Sequence, residues 1–474
     1  AGMRRTPAEA GLAPGQPPEP DLRPGADPVD DGPWAAPSTP GPAAPGQRPD
    51  SAPPAPDTAP AAFSPAAVDA DVPAAVGRVL ADILRRHTAQ AAALDGVFAR
   101  DVAERVARFT LDGGKRMRSR LLWWSLRACG GGTDAAGTDR ALHVAAALEL
   151  VQTCALVHDD VMDHSPLRRG RPALHTDFAA QYAASVPPGA GGSFGVSAAV
   201  LAGDLALAWA DDTLADAGLE PGTAHRVHGI WRAMRTEMVA GQYLDLQGQA
   251  TACRSAARAV RIAWLKSALY SVERPLALGA ALAGAEAAAT RALRSAGRCA
   301  GIAFQLRDDL EDVFGDPRRT GKPSGDDVRE GKPTYLTAVA RANAAARGDR
   351  ASLAVLDRAV GVRDLSAAEL AEVRRVLVST GARAAVEDRI GRLVARSLRH
   401  LAEAAPESGA LHRLRELVCT MAGADHVART APAPGAAPAP APGAAPAPGA
   451  APPYGPGMSR TPSRRAAGAG RGSR

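Results

Sequence analysis

The chain has 474 residues, a net charge of +6 and five cysteines, and these figures exclude several function classes. The charge is too small to imply nucleic-acid binding, and Cys129, Cys154, Cys253, Cys299 and Cys419 are scattered, with no C-x-x-C pair to suggest a zinc cluster or disulfide framework. No apolar run reaches transmembrane length without a charge and the N-terminus shows no hydrophobic signal segment, so a soluble protein of the reducing cytoplasm is expected.

Residues 1–72 are rich in Pro, Ala, Gly and Asp and hold ten acids against four bases. They lack the apolar content for a core, and a disordered segment is expected. Residues 73–427 read as one large helical domain that carries the net +6, because the acidic start is balanced by six Arg and no acid in residues 428–474. Helix-forming stretches rich in Ala, Leu and Arg lie near 76–108, 118–129, 137–163, 195–217, 222–248, 254–284, 287–313, 331–346, 365–378 and 380–404. Gly and Pro punctuate them, as at Gly113-Gly114, Gly130 to Gly132, Pro221-Gly222 and Gly315-Asp316-Pro317. No convincing strand pair or βαβ alternation is visible. The expected fold is all-α, a bundle of long helices around a central cavity. The Ala-Pro-Gly repeats and Arg-rich end of 428–474 predict a second disordered tail.

Two copies of one carboxylate signature carry the chemistry. Asp159-Asp160-Val161-Met162-Asp163 and Asp308-Asp309-Leu310-Glu311-Asp312 both read Asp-Asp-x-x-Asp in helix-compatible sequence. On a helix the first and last Asp of each motif share a face. Ionised carboxylates gather only where cations neutralise them. Two such motifs point to hard divalent ions, best Mg²⁺, shared with phosphate oxygens. The residues around them fit a diphosphate. Arg168-Arg169-Gly170 follows the first motif with guanidinium forks that match phosphate geometry. Gly113-Gly114-Lys115-Arg116-Met117-Arg118 pairs close backbone approach with cations, without the spacing of a Walker A loop. Gly241-Gln242-Tyr243-Leu244-Asp245, Lys266-Ser267 with Tyr270, and Phe304-Gln305-Leu306-Arg307 add polar groups on further helices, and Gly321-Lys322-Pro323-Ser324-Gly325-Asp326-Asp327 with Gly331-Lys332 forms a polar loop after the second motif.

With these residues assembled, the stretch from about 100 to 340 resembles the trans-isoprenyl diphosphate synthase (polyprenyl synthetase) family, the motifs falling in matching order. The resemblance implies an all-α fold, usually homodimeric, chain elongation of an allylic diphosphate by isopentenyl diphosphate, and Mg²⁺ as cofactor with three ions per active site. Carried over, Asp159, Asp163 and Asp308 resemble the main Mg²⁺ ligands, with Asp160, Asp309 and Asp312 as additional ligands or their partners. Lys115, Arg118, Arg169 and Gln152 resemble the isopentenyl diphosphate grip; Arg168, Lys266, Lys322 and Lys332 resemble the allylic diphosphate contacts; Ser267 and Gln305 would turn oxygens toward a developing cation. Gln152 stands where many members have His, Ser267 where many have Thr, and Ser119 where many have Pro.

The resemblance also places product length in the apolar wall before the first motif. The fifth and fourth residues before Asp159 are Cys154 and Ala155, small where an aromatic commonly blocks the tail in fifteen-carbon synthases. Val151 and Leu148 continue that face, and Trp209 is a candidate floor. Geranylgeranyl diphosphate is the expected product, with farnesyl or longer polyprenyl products as alternatives. A class I terpene cyclase normally pairs its first Asp motif with an Asn/Ser/Glu triad, and a non-catalytic partner subunit tends to lose these motifs, so both are weaker readings.

Overall fold

The computed structural model describes residues 63–185, 187, 190–316 and 324–424. Ordered structure begins earlier than residue 73. Helix α1 (Pro65–Ala70) starts at Ser64, whose hydroxyl accepts from the Ala67 N–H, and Pro65 supplies a preset φ at the first position. The segment is held because Val68 is fully buried and Asp69 takes hydrogen bonds from Trp123 Nε1 at 2.9 Å and Arg127 at 3.0 Å. Pro and Ala in this stretch therefore open a docked helix where disorder was expected. The tail from 428 lies outside the described residues.

Helix α2 (Val72–Leu94) is capped by Asp71 and buries Val72, Val76, Val79, Leu80, Ile83 and Leu84, a stripe at helical spacing. Asp95 then breaks the run by capping a new start, so the expected helix over 76–108 becomes α2, a short α3 (Gly96–Phe98), a π-helical turn (Ala99–Ala103) and α4 (Glu104–Leu111). After α5 (Met117–Ala128) comes α6 (Ala135–Met162), which is apolar nearly all round and runs through the centre of the bundle. It packs on α5, α2, α4 and α8 (Ala190–Ala215). Between α6 and α8 sit a two-residue hairpin and α7 (Leu174–Gln181), neither foreseen from the sequence. In the hairpin, β1 (Leu167–Arg168) pairs antiparallel with β2 (Arg171–Pro172). Its turn residues Arg169 and Gly170 have φ of 55° and 73°, the primed geometry that tight hairpins require.

Helix α9 (Pro221–Ala250) leads to α10 (Ala256–Ile262), an eleven-residue π-helical segment (Ala263–Glu273) and α11 (Arg274–Leu282). These three form the expected helix over 254–284, but with the π register through its middle. Helix α12 (Ala287–Phe314) packs along that segment. Its Gly301 permits the approach, since a Cβ there would lie 2.5 Å from Ala268 Cα. The remainder is α13 (Asp326–Glu330), α14 (Tyr335–Ala346), α15 (Arg350–Ala359), α16 (Ala367–Ser379), α17 (Ala382–Ala404) and α18 (Gly409–Met421), of which α13, α15 and α18 were not foreseen. Helix α17 covers α12, and α18 covers α5. The expected all-α bundle is the observed one. Helix α6 and residues Gly191–Ala215 of α8 are long and apolar enough to cross a membrane, but each carries several acids, Glu149 and Asp204 among them, and α6 is largely buried among other helices.

Candidate active site

The first Asp triplet ends α6, with Asp163 closing the helix. A helix C-terminus is the negative end of the macrodipole, so carboxylates there need facing cations. Three elements supply them. The hairpin presents Arg168, whose Nε donates to Asp160 Oδ1 at 2.8 Å while a terminal nitrogen bonds the same oxygen; Asp159 lies 3.8 Å away. The π segment presents Lys266, which donates to Asp159 Oδ1 at 3.1 Å and to Asp245 Oδ2 of α9 at 2.8 Å. The loop after α13 presents Lys332, which donates to Asp163 Oδ2 at 2.9 Å and pairs with Glu330 at 2.7 Å.

The electrostatics follow from these pairings. Burial pushes the Asp159 carboxyl up, but Lys266, Lys332 and Arg168 together outweigh it and hold the group below the usual carboxylate range. Burial wins at Asp160, against Arg168, and at Asp163, against Lys332, so both lie above that range. Burial also disfavours the charged forms of Lys266 and Lys332, yet the surrounding carboxylates raise both above an ordinary lysine.

The second triplet lies on α12. Asp309 is buried and accepts from Gln305 Nε2 at 2.8 Å, which leaves the amide oxygen of Gln305 for another partner. Burial, then Asp327, lifts its carboxyl well above the usual range. Asp312 accepts from the Asp327 backbone N–H at 3.2 Å and is raised by burial and by Asp327. Asp308 is exposed on the same helix. The two triplets meet through Lys332, whose Nζ touches Asp163 and lies 3.6 Å from Asp327, the residue bonded to Asp312.

A second cationic group gathers beside α6. Arg118 donates to Ser271 Oγ at 2.7 Å, and its guanidinium lies 4.2 Å from the Tyr270 ring centroid. Tyr270 donates in turn to Gln152 Oε1 at 2.7 Å. Arg169 donates to the Asp112 carbonyl at 3.2 Å and lies over Phe109. Lys115 is exposed at the loop tip. Of the remaining candidates, Ser267 is half-buried in the π segment, and Lys322 lies outside the described residues. Cys154, Val151 and Leu148 are buried, and Ala155 is half-buried. Burial, then Asp204, pushes the Cys154 thiol up to about 12. Trp209 is 6 % exposed and stacks on His87 of α2, ring centroids 4.8 Å apart.

Asp245, Tyr270, Asp327 and Glu330 also belong to this network and carried no role in the sequence. The first three stand inside or beside motifs quoted there; Glu330 had no distinguishing signal. The donor set suits a hard divalent ion. Asp160 Oδ2 and Asp163 Oδ1 are buried with no hydrogen-bond partner, an arrangement that a cation would relieve. Among the described residues no three His, Cys, Asp or Glu side chains already cage a common point.

Comparison with known proteins agrees with this geometry. The Polyprenyl synthetase family profile matches residues 100–375. The chain is 33% identical over 272 residues to a geranylfarnesyl diphosphate synthase of Aeropyrum pernix, covering 55% of this chain and 79% of that protein. It is 35% identical over 241 residues to a farnesyl diphosphate synthase of Geobacillus stearothermophilus, covering 49% and 73%. Its fold is similar to the crystal structure of a geranylgeranyl pyrophosphate synthase of Corynebacterium glutamicum complexed with isoprenyl diphosphate and magnesium, with TM-score 0.69, 37% identity and coverage of 74% of this chain and 98% of that one. The paired Asp triplets, their facing cations and these matches together make the chain a member of the polyprenyl synthetase family of prenyltransferases.

Proposed function

We propose that this prenyltransferase uses Mg²⁺ to join isopentenyl diphosphate to an allylic diphosphate, and that its main product is geranylgeranyl diphosphate. The observation that supports the reading is the Asp163–Lys332–Asp327–Asp312 connection, which links the two Asp triplets through one lysine. Asp159, Asp163 and Asp308 would hold the metal, with Asp160, Asp309 and Asp312 supporting them. Magnesium, when bound, supplies the positive charge that makes diphosphate a good leaving group. Arg168, Lys266 and Lys332 then have carboxylates to leave and phosphate oxygens to take. The C1–O bond of the allylic diphosphate breaks with its electron pair on oxygen. The isopentenyl double bond attacks the allylic cation, and a proton lost from the new adduct goes to the departed diphosphate.

Gln305, whose amide nitrogen is occupied by Asp309, offers its oxygen to the cation, and Ser267 offers its hydroxyl. Lys115, Arg118, Arg169 and Gln152 hold the second diphosphate. Leu148, Val151 and Cys154 keep the growing chain dry. The small side chains at 154 and 155 favour a product longer than farnesyl diphosphate, and Trp209 limits it. A homodimer and a cytoplasmic location complete the reading. Helix α8 supports the dimer, because Phe194, Val200 and Leu201 are 40%, 40% and 63% exposed, an apolar face suited to a second copy.

The test incubates purified protein with Mg²⁺, labelled isopentenyl diphosphate and allylic diphosphates of increasing length, and reads product length. Label should enter a product that stops mainly at twenty carbons, and chelation should abolish incorporation. Incorporation that survives complete chelation would refute metal dependence. A different terminal product would refute the length assignment, and no incorporation would refute the elongation reaction.

A further inference from the structure

Arg116 sits between two residues of the proposed diphosphate grip, Lys115 and Arg118, yet it points the other way. Its side chain is 6% exposed and pairs with Glu149 of α6, itself 9% exposed, at 3.0 Å. The same guanidinium donates to the carbonyls of Thr110 at 3.0 Å and Leu111 at 3.2 Å, acceptors in the last turn of α4. The other oxygen of Glu149 accepts from Ser119 Oγ at 2.6 Å. Thr110 and Thr153 close the group with a hydroxyl contact at 2.9 Å.

The backbone is shaped around this arrangement. Arg116 has φ 49° and ψ 39°, a left-handed conformation uncommon outside Gly, at the start of α5. The loop folds onto the guanidinium so closely that a Cβ at Gly113 would lie 3.2 Å from Arg116 Cζ and 2.9 Å from the Thr110 carbonyl. On the outer side, Arg169 donates to the Asp112 carbonyl at 3.2 Å. The loop is thus held from within by Arg116 and from without by Arg169. Glu149 lies one helical turn before Gln152 and on the helix that carries the first Asp triplet.

We propose that Arg116 and Glu149 are positioning residues, a buried clamp that sets Lys115 and Arg118 at the correct height against Gln152 for the non-allylic diphosphate. The proposal rests on the function assigned above and deepens it, separating the residues that touch the second substrate from the pair that aims them. The clamp works through geometry: a planar guanidinium reaches one carboxylate and two carbonyls at once, which an ammonium on a flexible stem cannot reproduce. Preorganising a loop in its binding conformation lowers the ordering cost of association, so loss of the clamp weakens binding without removing a contact to ligand.

The experiment compares R116K and the double variant R116M/E149M, which removes both charges while keeping apolar bulk and avoids leaving one buried charge unpaired. KM is measured separately for isopentenyl diphosphate and for the allylic diphosphate, with kcat and the melting temperature. The expected result is a rise of about tenfold in KM for isopentenyl diphosphate in both variants, with kcat and allylic KM within about threefold of the parent. An unchanged isopentenyl diphosphate KM in a folded variant overturns the clamp. Equal loss for both substrates, or failure of both variants to fold, also overturns it by showing a purely structural role. A parent protein that consumes no isopentenyl diphosphate instead refutes the function assigned above, so the two failures are distinguishable.

Discussion

Replacing Gly241 by Ala adds one methyl group where α9 crosses the π segment. A Cβ at this position would lie 2.6 Å from Lys266 Cα and 2.8 Å from the Leu265 carbonyl carbon. Ordinary van der Waals contact begins near 3.4 Å, so α9 must retreat by roughly 1 Å, and backbone offers no flexible end to absorb it. Overpacking of this kind costs about 1–3 kcal/mol. The retreat also carries Asp245 away from Lys266, which it now meets at 2.8 Å. Displacement of a substrate-positioning group by roughly 1 Å can cost about 100-fold in rate. G241A should therefore lower the melting temperature by several degrees and reduce kcat far more than its stability loss explains. Gly229→Ala on the same helix is the control, because its Cβ would meet nothing within 4 Å. That variant should be active and neutral or stabilised by up to about 1 kcal/mol through higher helix propensity. Thermal unfolding and steady-state turnover of both variants decide the matter. Wild-type stability and turnover in G241A would refute the close-crossing argument.

Asp159→Ala or Asp308→Ala should cost about 10³-fold or more in turnover, measured as labelled isopentenyl diphosphate incorporation, and near-normal rates would remove either residue from the proposed metal set. Cys154→Phe should shorten the product, read by chromatography of the dephosphorylated prenyl alcohols, while an unchanged length would refute the cavity-wall assignment. With its thiol pushed up to about 12, Cys154 should be on the order of one part in ten thousand thiolate at pH 8. Native protein should then resist iodoacetamide at Cys154, with mass-spectrometric mapping after brief labelling as the check.

What was readable in the sequence divides along physical lines. Composition rich in Ala, Leu and Arg identified α6, α9, α12 and α17, because long helices accumulate many good helix formers. The short α7 and α15 offered too few turns for that signal, and nothing in the sequence singled out α18. Pro and Ala composition argued against structure before residue 73, but composition is blind to two specific anchors, the burial of Val68 and the pairing of Asp69 with Trp123 and Arg127. The same division holds in the site. The family resemblance brought together Asp159, Asp163, Lys266 and Lys332, whose partners lie more than 100 residues apart in sequence. It could not show that residues 263–273 adopt the π register, which changes the faces presented by Lys266, Ser267 and Tyr270. Nor could it separate Arg116 from Lys115 and Arg118, since only the left-handed backbone at 116 turns that one cation inward.

The arrangement of cations gives a physical account of how so many carboxylates are held together in one site. Asp159 and Asp163 occupy the negative end of a 28-residue helix, and two of the triplet's buried oxygens lack hydrogen-bond partners. Left uncompensated, that charge would oppose folding. Lys266 and Lys332 occupy the carboxylates as internal counter-ions, each shared with an acid from another element, Asp245 or Asp327. Ammonium groups suit this role because each is a single point charge on a flexible stem, able to pass from carboxylate to phosphate by rotation. Arg168, held on Asp160 through two nitrogens, is less easily released. In the proposed reaction, substrate entry would be an exchange, in which a divalent cation takes the carboxylates and the lysines take the diphosphate. Such an exchange would make metal and allylic diphosphate binding mutually reinforcing, because each would free or neutralise the groups that the other requires.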